Sequence, residues 1–389
     1  MSTSFVYDAV RTPFGRFGKA LSGIRPDDLV ALVLSQLAER NPSLDPATVD
    51  DIILGDANAA GEDNRNVARM AALLAGFPTS IPGSTVNRLC GSGVEAVIQA
   101  SRAIETGDAR LMIAGGVESM SRAPWVVLKP QKGFPSGHET MHSTTLGWRM
   151  VNPHMPKQWT VSLGETAEIL ADRYAVSRDE QDEFALASHQ NAAAGWDSGA
   201  YDKEIVAIPG VDLERDEGIR TDTSLELLAG LKPAFRENGT VTAGNSSPLN
   251  DGAGALVIGG ENALDSEPLA RIVSRGVHAV DPDIFGIAPV EAANKALARA
   301  GKTWADVDLV ELNEAFASQS LACIKLWPDL DPAKVNIHGG TIAIGHPLGA
   351  SGARIVGHVA QELARRGGGV GVAAICIGVG QGLAVVLER

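Results

Sequence analysis

Two stretches of this 389-residue chain carry the same order of elements at nearly the same spacing. In the first, a helix-like run from Asp27 to Arg40 precedes a strand signal from Val49 to Gly55. Then come Cys90-Gly91-Ser92-Gly93, an amphipathic helix ending near Gly107, and the apolar strand Leu111 to Gly116. In the second, Pro289 to Ala300 precedes Val307 to Leu312. Gly349-Ala350-Ser351-Gly352 follows as a turn, with a helix from Ala353 to Arg366 and the strand Val370 to Ile377. Val49 and Cys90 are 41 residues apart, and Val307 and Gly349 are 42; Cys90 to Gly115 and Gly349 to Ala374 both span 25. Generic strand–helix punctuation can match one interval, but agreement at two successive intervals points to duplication. Alternating strands and helices predict an α/β chain with mainly parallel sheets covered on both faces. Ligands on such sheets sit beyond the strand ends, in turns that lead into helices. A site is therefore expected where the two halves meet.

Between the halves, residues 121–242 are richer in Trp, His, Met, Pro and charge, with a helical stretch from Glu165 to Gly195. They read as an insertion with its own small fold, because apolar positions such as Ile169, Tyr174 and Phe184 argue against a disordered linker. The chain then returns to an apolar strand, which divides it into residues 1–120 plus 243–268, residues 121–242, and residues 269–389.

The formal charge of −14 lacks the basic footprint of a nucleic-acid binder. An anionic ligand would need local cations set into an acidic surface. No apolar run reaches the ~20 residues that span a membrane, and Met1 to Tyr7 runs into apparent strand without a signal pattern. The three cysteines, Cys90, Cys323 and Cys376, have no paired spacing, so neither a disulfide framework nor a metal site is expected, and a reducing cytoplasm is the expected compartment. Cys323, inside the helical stretch Ala315 to Leu326, reads as core.

Cys90 stands where an extended run, Ser84 to Leu89, turns through glycines into a helix. A thiol there feels the positive end of the helix dipole, which favours thiolate. Taken alone, a buried cysteine beside a tight turn is more often inert. His346, followed by proline in glycine-rich sequence, suits a rigid loop that projects one side chain into a cleft, and it is the natural base for Cys90. Cys376 follows an apolar strand and precedes Gly378, Gly380 and Gly382. A second thiol can move a proton to and from an acidic C–H when its pKa is tuned near neutral. The glycines after each cysteine let backbone N–H groups face a developing oxyanion. Asn313 either holds a water or carbonyl or caps a helix.

Four motifs in order then identify a resemblance: Cys90-Gly-Ser-Gly, Asn313-Glu-Ala-Phe, Gly345-His-Pro-Leu-Gly-Ala-Ser-Gly-Ala-Arg and Cys376-Ile-Gly-x-Gly-x-Gly. With Arg11-Thr-Pro-Phe-Gly, the chain resembles a thiolase from Val6 to its end. The resemblance implies a five-layer αβαβα fold of two duplicated halves, an inserted loop domain that binds CoA and makes oligomer contacts, and a homodimer or homotetramer. It implies a ping-pong acyltransferase that takes acyl-CoA, acetyl-CoA and CoA as substrates, with no permanently bound cofactor and no metal. Cys90 would carry the acyl group, Cys376 would move the proton, and His346 with a water on Asn313 would hold the enolate oxygen. The N–H groups of Cys90 and Gly378 would form a second oxyanion hole. Arg220 would lie beside the adenine and phosphates of CoA, Ser247 along the pantetheine, and Phe235 and Phe316 as apolar walls.

Within the family, residues 60–70, Asn87 to Cys90, Thr145 to Pro153 and Cys376 to Gly382 resemble the 3-oxoadipyl-CoA thiolases of aromatic-compound degradation. Ser162-Leu163-Gly164 departs from the His-Met-Gly of many short-chain thiolases. The terminal carboxylate of such a substrate needs a cation, and Arg65, His142 and Arg149 are candidates by location. Short-chain acetoacetyl-CoA and fatty 3-ketoacyl-CoA are the alternative substrates. A β-ketoacyl synthase would lack Cys376, and a non-catalytic acyl-CoA binder or thiol sensor would leave the ordered motifs unexplained.

Overall fold

The structure is a computed structural model and describes residues 3–389; Met1 and Ser2, which open the N-terminal run, lie outside the described residues. The first half runs β1 (Ser4–Arg11), the short β2 (Gly15–Arg16), α1 (Pro26–Arg40), β3 (Asp51–Gly55), α2 (Val67–Leu74), β4 (Gly83–Val86), α3 (Ser92–Thr106) and β5 (Leu111–Ser119). A long excursion follows, with two-residue strands β6 (Trp125–Val126) and β7 (His142–Ser143) and helices α4 (Leu163–Arg173), α5 (Arg178–Asp197) and α6 (Leu225–Ala229). The chain then returns as β8 (Asn250–Gly259). The second half runs β9 (Ala270–Ala279), α7 (Ala288–Ala300), β10 (Leu309–Leu312), α8 (Ala317–Lys325), α9 (Thr341–Ile344), α10 (Leu348–Arg366), β11 (Val370–Ile377) and β12 (Gln381–Glu388).

Strand order carries the duplication. One half is ordered β3-β5-β8-β1 and the other β10-β11-β12-β9, each with one parallel pair followed by two antiparallel pairs. The halves join edge to edge where β1 runs antiparallel to β9, with Ser4 opposite Ile272 and Val6 opposite Ala270. The sheet is thus mixed, and the expectation of mainly parallel strands is overturned. Only three residues, Gly378 to Gly380, connect β11 to β12, too few for the crossover that parallel neighbours need.

Three apolar cores separate five layers. Leu34 of α1, Leu54 of β3 and Val257 of β8 share an outer core. Val97 of α3, Ile258 of β8, Val356 of α10 and Ile375 of β11 share the central one. Ala293 of α7, Val310 of β10 and Trp327 share the far outer core. Alternate residues of β8 therefore serve different cores, as the period-two geometry of a strand requires, and α3 and α10 form the buried middle layer. Layer by layer the fold is αβαβα.

Helix α10 begins at Leu348 rather than at Ala353, so Gly349-Ala-Ser-Gly is helix rather than turn. Its glycines serve close approach instead. A Cβ on Gly352 would fall 2.1 Å from the backbone N of Val94, and one on Gly93 would fall 2.6 Å from the carbonyl of Gly349. The two central helices thus cross backbone to backbone at their N-terminal ends.

The excursion stands between β5 and β8, the position that Gly378–Gly380 occupies in the other half. Its helical stretch is two helices, broken at Ala175, whose φ of 48° is left-handed. Buried ion pairs tie this segment to the body. Arg11 of β1 grips Asp216 with both terminal nitrogens, at 2.6 and 2.9 Å, and reaches Glu204 at 3.0 Å. Glu204 in turn lies 3.0 Å from His358 of α10, and Arg354 of α10 pairs with Glu311 of β10 at 2.6 Å. Buried pairs of this kind cost much to break and fix the relative placement of what they join.

Candidate active site

Cys90 sits between β4 and α3 on a turn that its own residues enforce. Leu89 takes a left-handed φ of 48°, a cost of about 1–2 kcal/mol for a residue with a Cβ. The Ser92 hydroxyl holds that turn, donating to the Leu89 carbonyl at 2.6 Å and accepting the Arg88 N–H at 2.9 Å. Gly91 admits the Ile377 side chain, which would lie 2.4 Å from a Cβ there. The thiol is half-buried and faces a cavity of about 190 Å³. Burial pushes its pKa up to about 11, although the Gly378 N–H donates to it and pulls in the other direction, and Glu118 adds to the rise. Burial thus works against the thiolate that a helix terminus favours.

His346 comes from the equivalent place in the second half, just before α10. Gly345 has a φ of 117°, and a Cβ there would fall 2.6 Å from the Asn250 amide, whose Oδ1 accepts the His346 N–H at 2.9 Å. The Ser351 hydroxyl donates to the Pro347 carbonyl at 2.9 Å and lies 2.6 Å from His346 Nδ1. A hydroxyl has one proton, so with Ser351 donating to Pro347 it accepts from Nδ1–H, the arrangement that leaves the free lone pair on Nε2. Asn313 Nδ2 lies 3.5 Å from that Nε2. Burial and the nearby Arg354 charge lower the His346 pKa to about 3, so the ring is a neutral base.

Asn313 follows β10 and is not a helix cap, because α8 begins four residues later at Ala317 with Phe316 as its cap. Its Oδ1 is buried without a partner among the described residues. Cys376, at the end of β11, is 1% exposed and packs with Ala315, Phe316 and Phe285. Burial, then the neighbouring Cys90 and Cys323, raise its thiol well above the ordinary range rather than toward neutrality. Cys323 is core, donating to the Gly286 carbonyl at 3.2 Å.

The structure therefore sets Gly378 and Cys376 of the second half beside Cys90 of the first, and His346 beside Asn313 at the end of β10, the strand that pairs with β11. Three further residues belong there. Ser351 and Asn250 fix His346, and Glu118 lines the Cys90 cavity while its Oε2 accepts the N–H groups of Ala57 and Gly349 at 3.0 and 2.9 Å. Ser351 was legible, lying five residues past His346 inside a quoted motif. Asn250 and Glu118 carry no sequence signal, because tertiary contacts alone place them.

Of the three carboxylate candidates, Arg149 lines the Cys90 cavity, whereas Arg65 and His142 do not. Arg65 is exposed on a surface turn, and His142 pairs through its backbone with Val126. Leu163, from the departing Ser-Leu-Gly, is also on the cavity wall. A second cavity of about 290 Å³ is lined by Arg220, Arg16, His189, Ser246 and Pro248. His189 Nδ1 accepts the Arg220 N–H at 3.1 Å, and burial followed by the Arg220 charge lowers its pKa to about 4. Ser247 is not among the residues lining that cavity, and its hydroxyl donates to the Ala315 carbonyl at 3.1 Å. Phe235 and Phe316 meet edge to face at 6.1 Å. Among the described residues no His, Cys, Asp and Glu group is arranged to hold a metal ion, and no helix is long and apolar enough to cross a membrane.

A cysteine at a helix start with a second thiol buried beside it, on a five-layer α/β scaffold, fits the acyltransferase class. Residues 4–262 match the family described as "Thiolase, N-terminal domain" and residues 266–389 match "Thiolase, C-terminal domain". The chain belongs to the thiolase family. It is 51% identical to a beta-ketoadipyl-CoA thiolase of Escherichia coli over all of both chains, and 50% identical to one of Pseudomonas putida over the same extent. Among solved structures it resembles the acetyl-CoA acetyltransferase of Bacillus anthracis, with a TM-score of 0.92, 41% identity and coverage of 100% and 99% of the two chains. Human mitochondrial 3-ketoacyl-CoA thiolase in complex with CoA gives 0.93, 40%, and coverage of 100% and 98%.

Proposed function

We propose that the chain cleaves 3-oxoadipyl-CoA with CoA to acetyl-CoA and succinyl-CoA, and runs the reverse condensation, by a ping-pong route through Cys90. The observation that carries the mechanism is the second thiol, Cys376, buried beside Cys90. The extensive identity to beta-ketoadipyl-CoA thiolases supports the substrate.

In this reading Cys90 attacks the ketone carbon while its proton passes to His346 Nε2. The resting values, about 11 for the thiol and about 3 for the imidazole, make a preformed ion pair unfavourable. Proton transfer is therefore coupled to attack, when the Gly378 and Cys90 N–H groups stabilise the new oxyanion. Carbon–carbon cleavage releases the acetyl-CoA enolate, whose oxygen is held by His346 and by a water on Asn313. Cys376, protonated at rest, donates to the enolate carbon. A second CoA gives its thiol proton to the Cys376 thiolate and takes the acyl group from Cys90, which leaves as a thiolate and recovers its proton from His346, so that both cysteines and the neutral imidazole are restored.

CoA is then a substrate rather than a resident cofactor. Arg220, with Arg16 and His189, would meet its phosphates and adenine; Ser247, Phe235 and Phe316 would line its approach. Residues 121–242 form the loop domain of this reading, against halves of 1–120 plus 243–268 and of 269–389. The exposed apolar side chains Trp125, Phe134 and Met141 suit burial between subunits of a homodimer or homotetramer. The compartment proposed is the cytoplasm.

The test compares CoA-dependent cleavage of 3-oxoadipyl-CoA, acetoacetyl-CoA and a medium-chain 3-oxoacyl-CoA, with mass spectrometry of the trapped enzyme. A succinyl adduct on Cys90 and the highest kcat/KM for 3-oxoadipyl-CoA are expected. Acetoacetyl-CoA as the best substrate would sink the substrate assignment, and an enzyme that stays unmodified during turnover would sink the ping-pong route. Cys376→Ala should still be acylated yet fail to turn over.

A further inference from the structure

Resting on that reading, we infer that Arg149 is the residue that selects a dicarboxylic acyl group, holding the distal carboxylate of the chain carried on Cys90. The cavity faced by Cys90 is walled largely by apolar atoms of Leu89, Leu163, Trp148 and Val379. Arg149 is its one cationic lining residue, and Glu118 its one anionic lining residue. Most arginines of the body are already committed, as Arg11 is to Asp216 and Arg354 to Glu311. Arg149 has no hydrogen bond or ion pair among the described residues. A half-buried arginine without a partner among the described residues, on the wall of the cavity that Cys90 lines, offers its planar fork to a carboxylate.

The backbone that carries Arg149 is pinned. Asn58 Nδ2, itself on the cavity wall, donates to the Thr144 carbonyl at 3.2 Å and to its hydroxyl at 2.9 Å. The Thr144 hydroxyl donates to the Pro124 carbonyl at 2.6 Å, and the Trp148 indole to the Val161 carbonyl at 2.9 Å. Gly147 has a φ of 84° and Met150 a φ of 52°, so the chain is left-handed on either side of the Trp148–Arg149 pair. A left-handed methionine is uncommon and persists where its surroundings over-determine it. The turn returns Arg149 to the cavity instead of letting it run along the surface.

The anion that this cation meets belongs to the acyl group, not to the phosphates of CoA. In the reading above, those would meet Arg16 and Arg220 in the second cavity, which Arg149 does not line. The chain as a whole carries a charge of −14, so an anionic acyl tail is disfavoured wherever no local cation meets it. Glu118 does not cancel the effect. Burial raises its carboxyl pKa to about 7, against the pull of the Ala57 and Gly349 N–H groups, so it is partly neutral at physiological pH.

The experiment measures kcat/KM for 3-oxoadipyl-CoA and for acetoacetyl-CoA on wild type, Arg149→Met, Arg149→Lys and Arg65→Met. The ratio of the two values is expected to fall about 10- to 100-fold in Arg149→Met, the effect of losing a charge-assisted hydrogen bond. It should fall less in Arg149→Lys, which keeps the charge without the fork, and hold in Arg65→Met. Equal proportional loss on both substrates, or a fall in Arg65→Met instead, would overturn the assignment of Arg149 and leave the substrate reading standing. If Arg149→Met does not fold, the Arg149→Lys ratio decides in the same way. Wild type that does not turn over 3-oxoadipyl-CoA removes the substrate reading and this inference together.

Discussion

The Ser351 hydroxyl stands between His346 Nδ1, at 2.6 Å, and the Pro347 carbonyl, at 2.9 Å. With its proton on Pro347 it receives from the imidazole, and this assignment makes Nε2 the base atom of the ring. Ser351→Ala frees the ring to adopt either tautomer. We expect kcat for acetoacetyl-CoA cleavage to fall about 10- to 100-fold with KM retained, while stability changes by about 1 kcal/mol. A KM effect in place of a kcat effect would show that Ser351 acts on substrate binding instead.

The Cys90 thiol is protonated at rest, since burial holds its pKa at about 11. The sign follows directly: below that value the thiolate fraction rises about tenfold per pH unit. Carbamidomethylation of Cys90 in the free enzyme, followed by mass, should therefore accelerate across the whole range from about pH 7 to 10. A plateau beginning near neutral pH would mean that His346 holds the thiol as an ion pair before substrate arrives.

Glu204 joins the inserted segment to β1 and α10. Burial works against its ionisation, but the His358 and Arg11 charges outweigh burial and hold its pKa at about 2. A depressed carboxylate contributes stability above its ordinary value of 4.5 and loses it as pH falls toward 2. For His358, burial lowers and Glu204 raises, with a net rise, so its share is present at low pH and is lost as pH climbs through the raised value. Glu204→Gln should flatten the acid limb of a melting-temperature profile and cost about 3–5 kcal/mol near neutrality. An unchanged acid limb would place the acid-labile group elsewhere.

Gly352 touches Val94 backbone to backbone at the crossing of α3 and α10. Gly352→Ala puts a Cβ where no flexible side chain can yield, and should cost about 1–3 kcal/mol or more. Gly23→Ala, with nothing within 4 Å of its Cβ, should stay within about 0.5 kcal/mol. Urea denaturation of the two variants checks both, and equal midpoints would show that the crossing is not tight.

The repeat and its element order were legible because periodicity and motif spacing are local properties, as were Cys90, His346 and Cys376 as candidates, whereas Asn250 and Glu118 were not. The helix Pro26–Arg40 and the strand Val370–Ile377 match the sequence reading nearly residue for residue. Strand direction was not legible, because whether β8 and β12 run parallel or antiparallel depends on what joins them to their neighbours, not on their own alternation. Gly349 and Gly352 were misread as turn residues for a related reason. A glycine kept for conformational freedom and one kept for absence of a side chain are the same letter. The upward pull of burial on the Cys90 and Cys376 thiols was not legible, because desolvation is set by the tertiary surroundings.

Gly378 to Gly380 connect β11 to β12 with three residues, and the Gly378 N–H in that connection donates to Cys90. The matching connection of the other half runs from Met120 to Leu249. Only one of these two positions can be lengthened without moving the donor. A chain lengthened at Gly378–Gly380 would carry the donor away from the thiol, whereas one lengthened after β5 could acquire a roof for the substrate without disturbing the chemistry beneath it. Engineered insertions should obey the same asymmetry. New binding surface belongs in the roof, and the short hinge opposite must keep its length.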